Sequence, residues 1–158
     1  MRKKLFILIS ATFCLFLISL PCVAPGGERF IDNGDGTVSD TLTNLMWSKE
    51  DNLGDINWHD AKVYCNTPPI SGYKYLDWRM PTIKELRTLY NKDTAGYETD
   101  CGLRARIDPA IRLSCAWVWA SGNKTISAYA FSFRKGYQYS TLKLNKKLFR
   151  ALPVRNIK

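Results

Sequence analysis

The sequence predicts an α+β fold, in which two helices follow one set of β-strands and precede another. Residues 28–47 contain short apolar and β-branched runs separated by Gly and Asn, as in strands joined by tight turns. Two capped helical patterns come next, at 57–64 and 82–90. Strand composition then dominates residues 116–154. Strands, two helices and strands again is the order of an α+β domain, not of an alternating α/β one.

The first strands are predicted at residues 28–31, 37–39 and 45–47. The segment 32–37 between the first two contains Asn-Gly and Asp-Gly, which are typical of a tight hairpin. It superficially resembles a calcium-binding loop. However, its third and fifth positions are glycines without a side-chain oxygen, and its twelfth is a threonine where an EF-hand has glutamate. We therefore interpret it as a turn and predict no metal site.

The two helices differ in how sharply their starts are defined. The first is predicted from Asn57, which can cap it, to about Tyr64. The second begins after Pro81, where Thr82 and Glu85 stand three residues apart and form a capping box. Its apolar face is predicted from the helical spacing of Ile83, Leu86, Leu89 and Tyr90.

The segment before the second helix carries a large anchor, Trp78, between Asp77 and Arg79. Charge-assisted hydrogen bonds from these two flanking residues can fix the turn. A further prediction is that Arg155, near the C-terminus, pairs with an acid inside the domain. We predict that a group of four residues builds the fold and carries no chemistry: Trp78, Arg79, Thr82 and Glu85.

The C-terminal third is predicted to be β-structure. Residues 116–120 have strand composition, and 121–123 are predicted to turn the chain. Residues 128–133 alternate with a period of two and predict a half-buried strand, which the turn 134–136 ends. The closing strand is predicted at 148–154, and the proline inside it indicates an edge position or a strand end.

The cysteines predict one disulfide bond. Residues 93–106 form a long irregular segment, which in a compact domain is usually functional or held in place. Cys101 and Cys115 bracket part of it, and we predict that they are bridged. Closing such a loop stabilises a fold by roughly 3 kcal/mol. Cys65 is predicted on the first helix, either as a buried free thiol or as a partner of Cys22.

The N-terminal residues predict export. Three basic residues come directly after the first methionine, and residues 5–20 are nearly all apolar. This apolar run is shorter than the roughly 20 residues of a membrane span and fits a secretory signal peptide. We predict a signal peptide at residues 1–26 and one domain at 27–158. A lipidated Cys22 and an uncleaved anchor are alternatives.

Charge is distributed unevenly along the chain, whose formal net charge is +9. All fourteen acidic residues lie between Glu28 and Asp108, whereas ten basic residues follow Asp108 without any acid. Such asymmetry indicates an anionic partner. Tyr137 and Tyr139 can offer aromatic faces to sugar rings. The predicted polyanion site consists of Lys143, Lys146, Lys147 and Arg150, together with Arg134 and Lys135.

Several of these motifs together resemble the Lcl C-terminal domain-like family of bacterial exported domains of unknown function. The resemblance covers roughly residues 29–155. It is carried by Asn-Gly-Asp-Gly-Thr-Val at 33–38, Asp-Trp-Arg-Met-Pro-Thr at 77–82, Trp-Val-Trp-Ala-Ser at 117–121 and Arg-Ala-Leu-Pro-Val-Arg at 150–155.

The resemblance implies a C-type-lectin-like fold, with two helices packed on antiparallel sheets, a long loop region, and paired N- and C-terminal strands. Its best-described member is the tail of an adhesin that binds sulfated polysaccharides. Many members carry a cysteine near the final Val-Arg, which the resemblance makes a candidate partner of the one in the first helix. Here Ala-Leu-Pro occupies 151–153, which leaves Cys65 unpaired. No catalytic residues follow from the resemblance.

These observations favour an exported, non-catalytic binding module for an anionic polysaccharide or a cell-surface component. The alternative is a structural or assembly subunit of a surface complex, including a homo-oligomer. An enzyme is less favoured, because one histidine, His59, cannot supply a credible Ser/His/Asp set. We expect no cofactor, no metal and no nucleic-acid partner, since an exported protein seldom meets nucleic acid.

Overall fold

The computed structural model describes residues 28–70 and 74–158. The predicted signal peptide, including Cys22, lies outside the described residues. Strands, two helices and further strands follow one another in the predicted order, which confirms the α+β class. The elements are β1 (Phe30–Asp32), β2 (Thr37–Asp40), β3 (Leu45–Ser48), α1 (Trp58–Asn66), α2 (Ile83–Leu89), β4 (Tyr97–Glu98), β5 (Arg104–Ala105), β6 (Trp117–Asn123), β7 (Ser127–Ser132), β8 (Tyr137–Leu142), β9 (Phe149–Arg150) and β10 (Val154–Asn156).

The strands form two four-stranded sheets and one small hairpin. The first sheet has the order β1-β2-β3-β10, so the C-terminal strand joins the N-terminal ones. The second has the order β8-β7-β6-β9, and β4 pairs with β5 alone. All pairs are antiparallel except β6 with β9. This agrees with the expected antiparallel architecture, and the C-type-lectin-like assignment within that class stays a prediction.

The turn between β1 and β2 is the hairpin that the glycine pattern predicts. Gly34 and Gly36 have φ angles of 74° and 84°, which glycine adopts without the steric cost of a side chain. The carboxylate of Asp32 accepts a hydrogen bond from the Gly34 amide at 3.0 Å. It also pairs with the Lys49 ammonium at 2.6 Å. The turn is therefore held by the Asp32 side chain and by Lys49, which follows β3.

Both helices begin as predicted. The Asn57 side chain accepts a hydrogen bond from the Asp60 amide, and α1 extends two residues beyond its predicted end. The Thr82 and Glu85 capping box is fully formed at the start of α2. Each helix thus satisfies orphan amides of its first turn through its own side chains.

Two apolar cores lie on opposite faces of the second sheet. The larger one joins the first sheet, α2 and one face of β6 and β7, and includes Trp47, Leu86 and Phe131. The smaller one joins α1 to the other face and includes Trp58 and Trp119. The strand predicted at 128–133 is therefore buried on both faces along much of its length, and the half-buried prediction was wrong.

Two predicted boundaries in the C-terminal third were also wrong. Residues 121–123 belong to β6, and the chain turns at 124–126. The closing strand is split into β9 and β10 because 151–153 cross from the second sheet to the first. Pro153 lies in this crossing, where its missing amide costs no ladder bond, and its carbonyl accepts from the Ser48 amide at 3.0 Å.

The long segment after α2 contains the short hairpin β4–β5, which the sequence did not predict. The predicted disulfide bond is confirmed: Cys101 and Cys115 are bridged. It ties the segment to the strand region that begins at Trp117. Cys65 is buried and unpaired among the described residues.

Candidate functional site

The basic residues predicted to form one polyanion site lie in separate places. Arg134 and Lys135 are exposed in the turn between β7 and β8. Lys143, Lys146 and Lys147 lie beyond the other end of β8. A six-residue strand spans about 17 Å at roughly 3.4 Å per residue, so the length of β8 separates the two groups. The prediction of a single compact patch was wrong.

Arg150 is not a surface residue. Its side chain is only 7% exposed, because β9 is packed beside β6. Its Nε donates to Ser114 Oγ at 2.6 Å, and its Nη1 donates to Asp55 Oδ1 at 2.8 Å. Because the side chain is buried and bonded inside the domain, Arg150 cannot serve a polyanion. The assignment of this residue to the binding patch was wrong.

The Arg150 contacts belong to a polar network that sequence reasoning missed. The buried carboxylate of Asp51 accepts from the Ser114 amide at 2.7 Å and from its hydroxyl at 2.8 Å. Burial raises the pKa of Asp51, and its hydrogen bonds with Ser114 oppose that rise. The hydrogen bond from Arg150 lowers the pKa of Asp55. The network joins the loop after β3 to β9 and is structural.

Lys143 is half-buried and holds three elements together. Its ammonium lies 4.7 Å from the centroid of the Trp58 ring, a distance typical of a cation–π contact. It also donates to the Thr125 carbonyl at 3.2 Å. The Lys143 carbonyl accepts from the Trp58 amide at 3.0 Å. Of the predicted C-terminal cluster, Lys146 and Lys147 are therefore the exposed members.

An aromatic shelf lies beside these lysines, formed by Trp117, Tyr137 and Tyr139. Trp117 and Tyr137 both pair with Ser132, and side chains two residues apart on a strand share a face. The Trp117 ring centroid lies 5.9 Å from that of Tyr137 and 5.2 Å from that of Tyr139. The tyrosines are 41% and 44% exposed. Sequence reasoning named the tyrosines but missed Trp117, whose position depends on strand register.

The basic loop, residues 143–148, borders the aromatic shelf. Thr141 lies on the same face of β8 as Tyr139, and its hydroxyl accepts from the Asn145 side chain at 2.5 Å. The Lys146 carbonyl accepts from the amide of Phe149, whose ring lies 6.1 Å from that of Trp117. The basic loop is therefore joined to the shelf through Thr141 and Phe149, and Tyr137, Tyr139, Lys146 and Lys147 are exposed.

A separate groove of about 410 Å³ runs beside α1. Its volume falls within the range of roughly 300–1,000 Å³ that is typical of small-molecule sites. The Lys62 ammonium lies 5.7 Å from the Trp58 ring centroid at this groove. Polar side chains of Asn66 and Asn123 also line it. Sequence reasoning did not indicate this groove, because its walls come from segments that are distant in the chain.

The four residues predicted as structural lie where that role requires. Trp78 is 4% exposed. Arg79 donates to both carboxylate oxygens of Glu85, at 2.9 and 2.6 Å. Asp77 accepts from Arg155 at 2.7 Å, which confirms the predicted pairing of that arginine with an acid of the domain. Asp77 and Arg79 thus pair with Arg155 and Glu85, and no hydrogen bond joins them to each other.

Chemically reactive groups are sparse in residues 28–70 and 74–158. Burial raises the pKa of the Cys65 thiol, which disfavours the nucleophilic thiolate. His59 is exposed on α1. These residues contain no group of three or more His, Cys, Asp or Glu side chains arranged to hold a metal ion. No helix among them combines the length and the apolar composition needed to cross a membrane.

Comparison with protein-family models matches residues 36–155 to the Lcl C-terminal domain. The chain belongs to the Lcl C-terminal domain family. The match runs from the β1–β2 turn into β10 at Arg155, so it covers both helices and every strand except β1 and the last residue of β10. In this Lcl C-terminal domain, the aromatic shelf and the basic loop both fall within the matched residues. No curated protein matches the chain.

Proposed function

We propose that this domain is an exported, non-catalytic binding module for an anionic polysaccharide, with an adhesin-like role. The observation that carries the proposal is the aromatic shelf bordered by the exposed ammonium groups of Lys146 and Lys147. Sugar rings have apolar faces that pack on aromatic rings, and sulfate or carboxylate groups accept charge-assisted hydrogen bonds from lysine. The surface offers both kinds of contact side by side.

The charge distribution supports the same ligand class. The strand β8 and the basic loop belong to the acid-free part of the chain, so no carboxylate of their own repels an anionic polymer. Arg134 and Lys135 lie at the other end of β8, about 17 Å away along the strand. An extended polysaccharide along β8 can contact both basic groups. We expect affinity to fall steeply as salt increases, because binding releases counterions from the polymer.

Retention on immobilised heparin tests the proposal. The double variant Lys146→Glu/Lys147→Glu should elute at clearly lower salt than the parent. The matched control is Lys84→Glu/Lys92→Glu, which changes the net charge equally at exposed positions remote from the basic loop. Equal losses in both variants would mean that heparin senses only net charge, and this would contradict the proposed site.

A second pair of variants isolates the aromatic contribution. Tyr137→Ala/Tyr139→Ala leaves every charge in place and removes two of the three rings of the shelf. We expect weaker binding of a sulfated oligosaccharide in calorimetry at fixed salt. Circular dichroism melting should show that the variant is folded. Unchanged affinity of a folded variant would mean that the rings do not contact the ligand and that only the charges bind it.

Export is part of the proposal. It is supported by the charged start and apolar run of the sequence, and the Cys101–Cys115 bridge is compatible with an oxidising compartment. Mass spectrometry of the native protein should find that it begins between residues 25 and 28. An intact Met1 would contradict cleavage, and an acylated Cys22 would indicate a lipoprotein.

A structural or assembly role is the second candidate, and the open edge of β8 favours it. This strand lies at the end of its sheet and carries six residues without a charge, a proline or a bulge. Such an edge can pair with another strand. Sedimentation should show an oligomer that Gln138→Lys dissociates if the edge mediates assembly. A monomeric parent would exclude assembly through this edge.

A further inference from the structure

Three exposed aliphatic side chains lie at one end of the hairpin β7–β8. Ile126 is 71% exposed, Leu142 is 52% exposed and Leu144 is 79% exposed. Ile126 belongs to the turn between β6 and β7, and Leu142 and Leu144 belong to the end of β8 and the turn that follows. We call these three residues the apolar tip. Side chains exposed to this extent contribute little to either core and leave apolar area in water.

The two turns are fixed against each other. The Lys143 amide donates to the Ile126 carbonyl at 3.1 Å, and Ser127 pairs directly with Leu142 in the β7–β8 ladder. The Lys143 ammonium donates to the Thr125 carbonyl and lies over the Trp58 ring. Because these contacts hold the backbone of both turns, the apolar tip is a preformed feature of the fold.

The charges around the apolar tip have one sign. Lys124 is adjacent to it on the first turn, and Lys146 and Lys147 follow it on the second, all exposed. Neither turn contains an acid. Asp55, whose carboxylate accepts from the Leu148 amide at 2.9 Å, is paired with Arg150.

We propose that the apolar tip docks onto the surface of an anionic lipid bilayer. Aliphatic side chains next to lysines match such a surface, since the former enter the interface and the latter meet the lipid phosphates. A soluble polyanion can pair with the lysines, but it provides no apolar phase that would remove Ile126 and Leu144 from water. Each lysine near an anionic surface strengthens partition by roughly fivefold. The inference shares Lys146 and Lys147 with the proposed polysaccharide site, but it depends on the apolar tip, which that site does not use.

Vesicle co-sedimentation tests the inference on the chain purified from cells that express it. Vesicles of phosphatidylcholine with 30% phosphatidylglycerol, about one lipid in three, are compared with pure phosphatidylcholine. The test variant is Ile126→Ser/Leu144→Ser. The matched control is Leu42→Ser/Leu76→Ser, which removes two aliphatic side chains of similar exposure elsewhere, 73% and 91%. All proteins keep the same N-terminal residues.

We expect the parent and the control variant to sediment with anionic vesicles, and the tip variant to lose at least tenfold in partition. Heparin retention of the tip variant should stay unchanged, which separates the bilayer from a soluble polyanion. Equal sedimentation of the tip variant and the parent would overturn the inference, as would equal binding to uncharged vesicles. The single variant Leu144→Ser, at the most exposed position of the tip, repeats the comparison if the double variant melts early in circular dichroism.

Discussion

Replacing Arg150 by alanine should destabilise the domain and leave polyanion binding almost intact. The guanidinium makes three hydrogen bonds, to Ser114 Oγ at 2.6 Å, to Asp55 Oδ1 at 2.8 Å and to the Phe149 carbonyl at 3.0 Å. Truncation removes all three. It also removes the stem of a side chain that is 93% shielded from solvent within the second sheet.

The magnitude follows from the exposure of each partner. A hydrogen bond to a charged group contributes about 1.5–3 kcal/mol. The Asp55 side chain is 45% exposed and can be rehydrated, so its share is at the lower end of that range or below. Ser114 keeps its hydrogen bond to Asp51, although the buried charge of Asp51 loses the nearby Arg150. Together these effects predict a loss of about 2–4 kcal/mol in the free energy of unfolding.

Urea denaturation at pH 7 measures this loss, and heparin chromatography of the folded variant measures binding. The control is Lys147→Ala, a neighbouring cation on the surface, which should change the unfolding free energy by less than about 0.5 kcal/mol and weaken retention. If Arg150→Ala unfolds within about 0.5 kcal/mol of the parent but loses retention as Lys147→Ala does, the side chain reaches the ligand and the structural interpretation fails.

Three further predictions concern the frame of the domain. Trp78→Ala should cost about 3–5 kcal/mol because the ring is buried, and a melting temperature within two degrees of the parent would place it on the surface. Gly136→Ala should lower the free energy of unfolding by about 1–3 kcal/mol, because φ is +75° and an added Cβ would collide with the Tyr90 ring. Urea titration measures this loss, and an unchanged free energy of unfolding would contradict that geometry. The hydrogen bond from Arg155 lowers the pKa of Asp77 below its ordinary 3.8. The ionised carboxylate therefore stabilises the fold above pH 3.8, and this stabilisation is lost as the pH falls through the lowered pKa of the folded state. In urea titrations, the free energy of unfolding of Asp77→Asn should therefore fall less than that of the parent between pH 4 and pH 2. An equal fall in both proteins would show that the Asp77–Arg155 pair is not coupled to folding.

Local signals predicted local structure well. The capping box at Thr82 and Glu85 and the Asn57 cap depend on residues three positions apart, which the sequence displays directly. The β1–β2 turn was likewise predictable, because it needs positive φ angles at Gly34 and Gly36 and glycine adopts them readily. The Cys101–Cys115 bridge could be predicted because the two cysteines bracket one loop. In each case the deciding interaction lies within the segment itself.

Features that depend on distant partners could not be predicted in the same way. The parallel pairing of β9 with β6 joins Phe149 to Trp117, and a register of this kind leaves no mark on either segment alone. It buries Arg150, whereas the antiparallel pairing of β6 with β7 and of β7 with β8 places Trp117 beside Tyr137. The aromatic shelf and the burial of the arginine therefore both depend on strand registers that no single segment reveals.

The basic residues of the C-terminal part have two roles, and arginines and lysines divide them. Arg150 and Arg155, in the acid-free half, lie inside the domain and bind Asp55 and Asp77 of the acidic half. A guanidinium suits this role, because it is weakly hydrated and presents a planar fork of donors to a carboxylate.

The lysines of the same region remain largely in water. Lys124, Lys146 and Lys147 are exposed, and the strongly hydrated ammonium group favours that position. Part of the basic excess thus holds the two halves of the chain together, as the ion pairs of the arginines show. The part that is free to meet a polyanion or a bilayer is carried mainly by lysines at the end of the second sheet. Substitution of Arg150 or Arg155 should therefore register chiefly in unfolding, and substitution of these lysines chiefly in binding.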